Sequence, residues 1–107
     1  MSKMMRFNET KPKLSYILEF PKAMAETAKV MEFGAEKYDR HNWKKGGSMS
    51  EQMDSLIRHA VAFQNGEDSD EESGRSHLAH IICNAAFLLE NYERFGGKFD
   101  DRDWGNY

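Results

Sequence analysis

Apolar residues recur at helical spacing in three stretches of the chain, and no stretch shows the period of two that a half-buried strand requires. From Pro21, whose ring presets an opening helical turn, Met24, Ala28, Met31, Ala35 and Tyr38 recur at steps of three and four. That predicts a first helix to about Tyr38, with Gly34 as its weak point. A second helix begins at the capping-box pattern Ser48 to Glu51, or two residues later at Ser50, and ends at Asn65 and Gly66. Its apolar side is Met53, Leu56, Ile57, Ala60, Val61 and Phe63. The third runs from about Ser76 to Phe95 and stops at Gly96 and Gly97. Between the first two, the tract Asp39 to Gly47 reads as a loop. Residues 1–20 form an apolar arm or a short helix around Leu14, Tyr16, Ile17, Leu18 and Phe20. The tail from Lys98 is polar apart from Phe99, Trp104 and Tyr107, and is either mobile or pinned by those aromatics. The fold class expected is all-α.

The third helix carries the densest chemistry. Gly66 to Asn84 reads GEDSDEESGRSHLAHIICN, an acidic loop, a turn, two histidines and an asparagine. At ~100° per residue, His77, His80 and Asn84 fall within an arc of about 60° and share one line of the helix. Leu78, Ile81, Ile82, Ala85, Leu88, Leu89 and Tyr92 fill the adjoining arc, so the polar line is expected along the rim of a buried face, where a cleft would lie.

Composition restricts the partners. A chain of 107 residues is one small domain. A thin core with seven Met and seven Phe favours completion by self-association, as a homodimer or homotetramer with the cleft close to or shared across the interface. No apolar run approaches the ~20 residues of a membrane span and no cleavable hydrophobic segment opens the chain, so no membrane is expected and the expected location is cytoplasmic. The lone Cys83 reads as packing inside a helix in a reducing compartment. A net charge of −3 without a basic stripe argues against direct nucleic-acid binding. The charges are nevertheless segregated. Lys3, Arg6, Lys11 and Lys13, and the segment Arg40 to Lys45, are basic, whereas 67–72 is acidic. Such clusters suit a phosphorylated substrate and its divalent cation, or are simply solvated loops.

The candidate side chains each have a plainer alternative. Glu32 and Glu36, four apart, can chelate a hard cation, or Glu36 pairs with Arg40 on the surface. Glu67, Asp68, Asp70, Glu71 and Glu72 offer the oxygen ligands that Mg²⁺ and Mn²⁺ prefer, without the glycine of a calcium loop. His77 and His80 can complete a mixed oxygen and nitrogen site or act as acid, base or phosphate donors. Lys37, Arg58 and His59 are candidates for phosphate, and Asn42 and Trp43 for a base edge and a stacked ring, with Trp43 otherwise a plug on the core.

Several of these blocks recur together in one order: RFNETKPKL (Arg6 to Leu14), FGAEKY (Phe33 to Tyr38), NWKKG (Asn42 to Gly46), RH (Arg58, His59) and GEDSDEESGRSHLAHIICNA (Gly66 to Ala85). The set resembles the phage-type dATP/dGTP pyrophosphohydrolases, the MazZ-like branch of the all-α MazG-like nucleotide pyrophosphohydrolases, over residues 6 to about 92. The resemblance implies a helical bundle of that type completed as a dimer or dimer of dimers, and dependence on Mg²⁺ or Mn²⁺. It also implies hydrolysis of a purine deoxynucleoside triphosphate to the monophosphate and pyrophosphate, in the host cytoplasm if phage-encoded. Ordinary members carry E-x-x-E and E-x-x-D pairs on two helices. Here Glu36 is similar to one member of the first pair, but Phe33 stands three before it, and the E-x-x-D spacing of Glu67 and Asp70 falls on a loop. Asp54 is left out of the set.

On this reading the catalytic residues are Glu36, Asp70 and His77, and the metal ligands Glu36, Glu67, Asp70, His77 and His80, around two or three ions. Lys11, Lys37, Arg58 and His59 hold phosphates, Asn42 and Trp43 the purine, and Asn84 completes the substrate contacts. The alternatives are a small helical assembly protein using its Met-rich face, or a histidine-and-aspartate phosphohydrolase releasing triphosphate, which the lack of an adjacent His-Asp pair disfavours.

Overall fold

Local capping sets the helix limits. α1 (Pro21–Lys37) opens on its proline, α2 (Met49–Gln64) on Ser48 and α3 (His77–Phe95) on Ser76, and 3₁₀ turns cover Leu14–Glu19 and Asn42–Lys45. The computed structural model describes residues 2–102. Trp104 and Tyr107 therefore lie outside the described residues. The Ser48 hydroxyl accepts from the Glu51 N–H at 3.2 Å, and Ser76 Oγ accepts from the Leu78 N–H at 3.1 Å, each satisfying a donor that a helix start leaves unpaired. α3 ends at Gly96 in the left-handed conformation, φ 57°. Among the described residues the sole strand-like feature is an isolated bridge between Ser69 and Ser76, so the chain is all-α as expected.

α3 is the central element, with α2 along one side and α1 along another. The buried core is Val30 of α1 against Ala79 and Cys83 of α3, with Phe87 packed beside it. The small side chains at 79 and 83 let α1 approach. The segment after α3 returns to the start of α2: Phe99 O accepts from the Met49 N–H at 3.2 Å, and Asp101 accepts from the Ser50 N–H at 2.9 Å. An acidic side chain there also complements the positive end of the α2 dipole. Gly46, at φ 79°, is needed at this junction, because a Cβ would stand 2.5 Å from the Phe99 ring and 2.7 Å from that of Phe95. The tail is thus pinned as far as residue 102.

Cys83 is 3% exposed and donates to Thr27 O at 3.4 Å. Burial pushes its thiol up to about 11, so it stays protonated and unreactive near neutrality. A thiol reagent is expected to modify the chain only when denaturant is present, and rapid labelling of the native chain would contradict that packing.

The faces of α3 differ from the sequence expectation. Leu78, Ile82, Leu89 and Tyr92, expected on a buried face, are exposed, whereas His77 and Asn84 on the polar line are buried at 3% and 7% exposure. The reason is that α1 and α2 close over the sides bearing Ala79, Cys83 and the polar line, and leave the larger apolar arc uncovered. The N-terminal segment is likewise uncovered, with Met4, Met5, Phe7, Leu14, Tyr16, Ile17, Leu18 and Phe20 between 51% and 82% exposed. Its projection fits a radius of gyration of 17.4 Å, against about 13 Å for a compact chain of this length. Among the described residues no helix is long and apolar enough to cross a membrane.

Candidate functional site

The loop between α2 and α3 is folded onto the ends of both helices by its own backbone. The Glu67 N–H donates to Ala62 O at 3.0 Å, Asp70 N–H to Arg75 O at 2.8 Å, and His77 N–H to Asp68 O at 3.0 Å. Asp70 closes a turn by accepting from the Ser73 N–H at 2.9 Å and the Ser73 hydroxyl at 3.0 Å, and Gly74 takes the positive φ of 70° that this turn requires. The acidic sequence that reads as a solvated loop is therefore a shaped ledge, with Asp70 turned inward.

Five titratable side chains converge there, Glu67 and Asp70 of the ledge with His59, His77 and His80. His77 Nε2 lies 2.7 Å from Glu67 Oε2, and His77 Nδ1 lies 2.8 Å from Nδ1 of His59 on α2. A carboxylate can only accept, so Nε2 of His77 carries the proton and its Nδ1 presents a lone pair to the donating Nδ1–H of His59. His80 stacks on His59 with centroids 4.3 Å apart and planes 6° off parallel. Its Nε2 is 2.7 Å from Ser73 Oγ and 3.8 Å from Asp70 Oδ2. Because the Ser73 proton goes to Asp70, His80 Nε2–H donates to the hydroxyl oxygen. His59, Asp70 and His77 each offer a ligand atom, all within 4.8 Å of one another.

Burial sets the charge states. Desolvation pulls His59 below the ordinary histidine range, helped by the neighbouring His80. Desolvation also lowers His80, against the attraction of Asp70. For Asp70 burial acts upward, yet the two Ser73 hydrogen bonds and the nearby histidines bring its carboxyl below the usual value. All three shifts act in the same direction on stability. A histidine depressed in the folded chain takes up protons first when unfolded, and a depressed carboxylate does the same. Without added metal, the melting temperature is therefore expected to fall as pH drops from about 7 to about 5, through the free histidine value near 6.5. A flat or rising thermal-melt profile over that range would show the imidazoles to be solvated.

The cluster forms the floor of a cleft of about 350 Å³ lined by Phe33, Ser55, Arg58, His59, Asp70, Glu72, His77 and His80. Through Phe33, Ser55 and His80 it adjoins a larger groove of about 620 Å³ between α1, the Asn42–Lys45 turn, α2 and α3. Lys37 and Arg40 supply cations to the larger groove, Asn42 and Trp43 an amide and a ring, and Glu51 and Gln52 line it from α2. Trp43 stacks on Phe87 at 4.9 Å with planes 12° apart, so one ring face is packed, and its carbonyl accepts from Asn91 at 2.8 Å.

The site residues expected from sequence divide accordingly. Glu67, Asp70, His77, His80, His59 and Arg58 come together at the small cleft, and Lys37, Asn42 and Trp43 at the large groove. Lys37 Nζ is also 2.5 Å from Glu72 Oε1, tying α1 to the ledge. Glu36 is exposed and lines neither cleft, because its step from Lys37 turns it outward. Lys11 is exposed on the arm. Asn84 is enclosed between helices, donating to His80 O at 3.0 Å and accepting from Gln52 Nε2, which joins α2 to α3. Sequence reasoning passed over Glu51, Arg40 and Ser73. The E-x-x-D spacing of Glu51 and Asp54, on a helix, was the signal for the first of these.

The family described as dATP/dGTP diphosphohydrolase, N-terminal, matches residues 1–102. A dATP/dGTP diphosphohydrolase of Salmonella phage PMBT28 is 33% identical to the chain over 102 residues, a stretch that takes in 92% of this chain and 33% of that relative. The chain thus spans about a third of the length of the curated relative it matches. No solved structure matches it.

Proposed function

Because the chain, over residues 1–102, belongs to the family described as dATP/dGTP diphosphohydrolase, N-terminal, we propose that it hydrolyses a purine deoxynucleoside triphosphate, dATP or dGTP, to the monophosphate and pyrophosphate with the help of a divalent cation. The observation that carries this reading is the adjacency of a cation-lined groove to a cluster of imidazoles and a carboxylate. A groove of about 620 Å³ lies within the range that small-molecule ligands occupy, roughly 300–1,000 Å³.

The donor set fits a divalent cation, since Asp70 is an ionised oxygen ligand and depressed histidines present lone pairs at neutral pH. Asp70, His77 and His59 would hold it, with His80 alongside. When bound, such a cation neutralises phosphate charge and acidifies a water, and the Mg²⁺ or Mn²⁺ expected as cofactor would enter with the nucleotide beside Glu51 of the adjoining groove. Lys37, Arg40 and Arg58 draw in the triphosphate and stabilise the charge that builds on departing pyrophosphate. Asn42 and Trp43, whose ring Lys44 and Arg94 each approach to 5.7 Å, are the groove residues suited to the purine. Water oxygen bonds to the α-phosphorus as the α–β bridging bond breaks, releasing pyrophosphate rather than triphosphate.

Self-association belongs to the same proposal. Leu78, Ile82, Leu89 and Tyr92 of α3 with Met53 and Ile57 of α2 are each at least 41% exposed and offer an apolar face that a second copy of the chain would cover. The direct test is product analysis over the common nucleoside triphosphates with Mg²⁺ or Mn²⁺. Deoxyadenosine or deoxyguanosine monophosphate with equimolar pyrophosphate is expected, and the absence of any monophosphate removes the reading.

A further inference from the structure

We infer that His59, His77 and Asp70 form a three-ligand site for a resident transition-metal ion of the Zn²⁺ and Co²⁺ class, with Glu67 as the residue that orients His77 rather than a ligand. The inference deepens the hydrolase reading and rests on it for what the ion does, not for its binding. Its first support is that two ring nitrogens on different helices, His59 Nδ1 and His77 Nδ1, face each other at 2.8 Å with a single proton between them. An ion replacing that proton would have two imidazole ligands at once. Asp70 supplies an anionic oxygen within the same 4.8 Å group, held inward by both Ser73 hydrogen bonds.

The second support is behind the ring. A metal-ligating histidine almost always donates its far N–H to a carboxylate or carbonyl, which fixes the tautomer and aims the other nitrogen. Glu67 Oε2 does this to His77 Nε2 at 2.7 Å. Three protein ligands with the remaining coordination position open to a cleft is the arrangement of a catalytic rather than a structural ion. Two nitrogens and one oxygen also select the metal. Imidazole suits Zn²⁺, Co²⁺ and neighbouring ions, whereas Mg²⁺ favours an all-oxygen shell and sheds its waters reluctantly. Glu51, in the adjoining groove, is an oxygen donor beside the place where a nucleotide would bring its own Mg²⁺. The two cations therefore have separate chemistry, the first resident and the second carried with substrate.

The full chain, stripped with chelator, is titrated with Co²⁺ and its visible absorption and calorimetric heat are followed. One equivalent is expected to bind, giving the intense bands of a low-coordinate Co²⁺ site, with an affinity at least about 100-fold above that for Mg²⁺. Glu67→Gln, at an exposed side chain, is expected to keep one equivalent and weaken it by about 10- to 100-fold. His59→Gln, with folding checked by circular dichroism, is expected to abolish the bands. No saturable Co²⁺ binding, equal affinity for Mg²⁺, or unchanged binding in folded His59→Gln overturns the inference and makes the histidine pair a hydrogen-bonded clip. Hydrolysis by demonstrably Co²⁺- and Zn²⁺-free chain with Mg²⁺ alone also overturns it while leaving the diphosphohydrolase reading intact. Tight binding with no hydrolysis under any metal supports the site and removes that reading instead.

Discussion

Asp70→Asn is expected to slow release of pyrophosphate from dATP or dGTP by about 10²- to 10³-fold, the usual consequence of losing one well-placed electrostatic group. The substitution keeps the shape of the side chain, and an amide oxygen can still accept from the Ser73 N–H and hydroxyl that close the turn. What it removes is the negative charge facing His80 and the histidine pair. The loop should therefore fold as before, while both cation binding and the electrostatic balance of the cleft are lost. Anion chromatography of the products measures the rate, and a thermal melt of the same sample checks the fold. Glu36→Gln is the informative companion, because that exposed side chain on α1 lines neither cleft and should leave the rate little changed. An Asp70→Asn enzyme that turns over normally, or a Glu36→Gln enzyme that does not, would mean that the reacting centre is elsewhere.

The contrast between those two carboxylates shows what the sequence can and cannot convey. Helix limits were legible because they are written in local chemistry: Pro21, the Ser48 and Ser76 caps, and Gly96 each act within a few residues. The convergence of His77, His80 and Asp70 was legible for the same reason, since one turn and one helical line bring them together. Angular position around a helix was not enough to say which side a neighbour would cover. The wheel placed His77, His80 and Asn84 together, but only packing reveals that α2 closes over them and that the larger apolar arc is the side left open. His59 reads from sequence as a phosphate candidate, and its contact with His77 joins residues 18 apart on two different helices, which periodicity does not encode. Glu36 enters the expected set through its similarity to one member of the family's E-x-x-E pair, yet its i and i+4 spacing from Glu32 fixes only that two residues share a face, not that the face looks inward. Glu67 reads as a ligand through its carboxylate and its E-x-x-D spacing with Asp70, and the structure adds what that spacing does not encode, a hydrogen bond to the far nitrogen of His77.

The uncovered arc leads to the second large effect, on assembly. Leu89 is 67% exposed, and Leu78, Ile82, Tyr92, Met53 and Ile57 around it on α3 and α2 are 41% to 48% exposed. Between those helices Met49, Met53, Leu56, Ala85, Leu88, Leu89 and Tyr92, together with Arg102, line a mostly apolar depression of about 370 Å³. In an isolated chain, Leu89→Glu would place a charge in water and should be neutral or mildly favourable to solubility. In a twofold assembly that buries this face, the same charge is desolvated twice, once in each copy, among mostly apolar neighbours. A central interface residue of that kind is expected to cost about 2 kcal/mol or more per copy, enough to shift association by well over tenfold. The wild-type chain is therefore expected to sediment at micromolar concentration as at least a dimer of its 12.4 kDa subunit, and Leu89→Glu as the 12.4 kDa monomer with helical content retained. The two results are informative only together. A wild-type chain that is already a compact monomer shows that the arc is tolerated open, and a Leu89→Glu chain that still dimerises shows that the second copy sits on another surface, for which the exposed Met24 and Met31 of α1 and the uncovered N-terminal segment offer apolar positions.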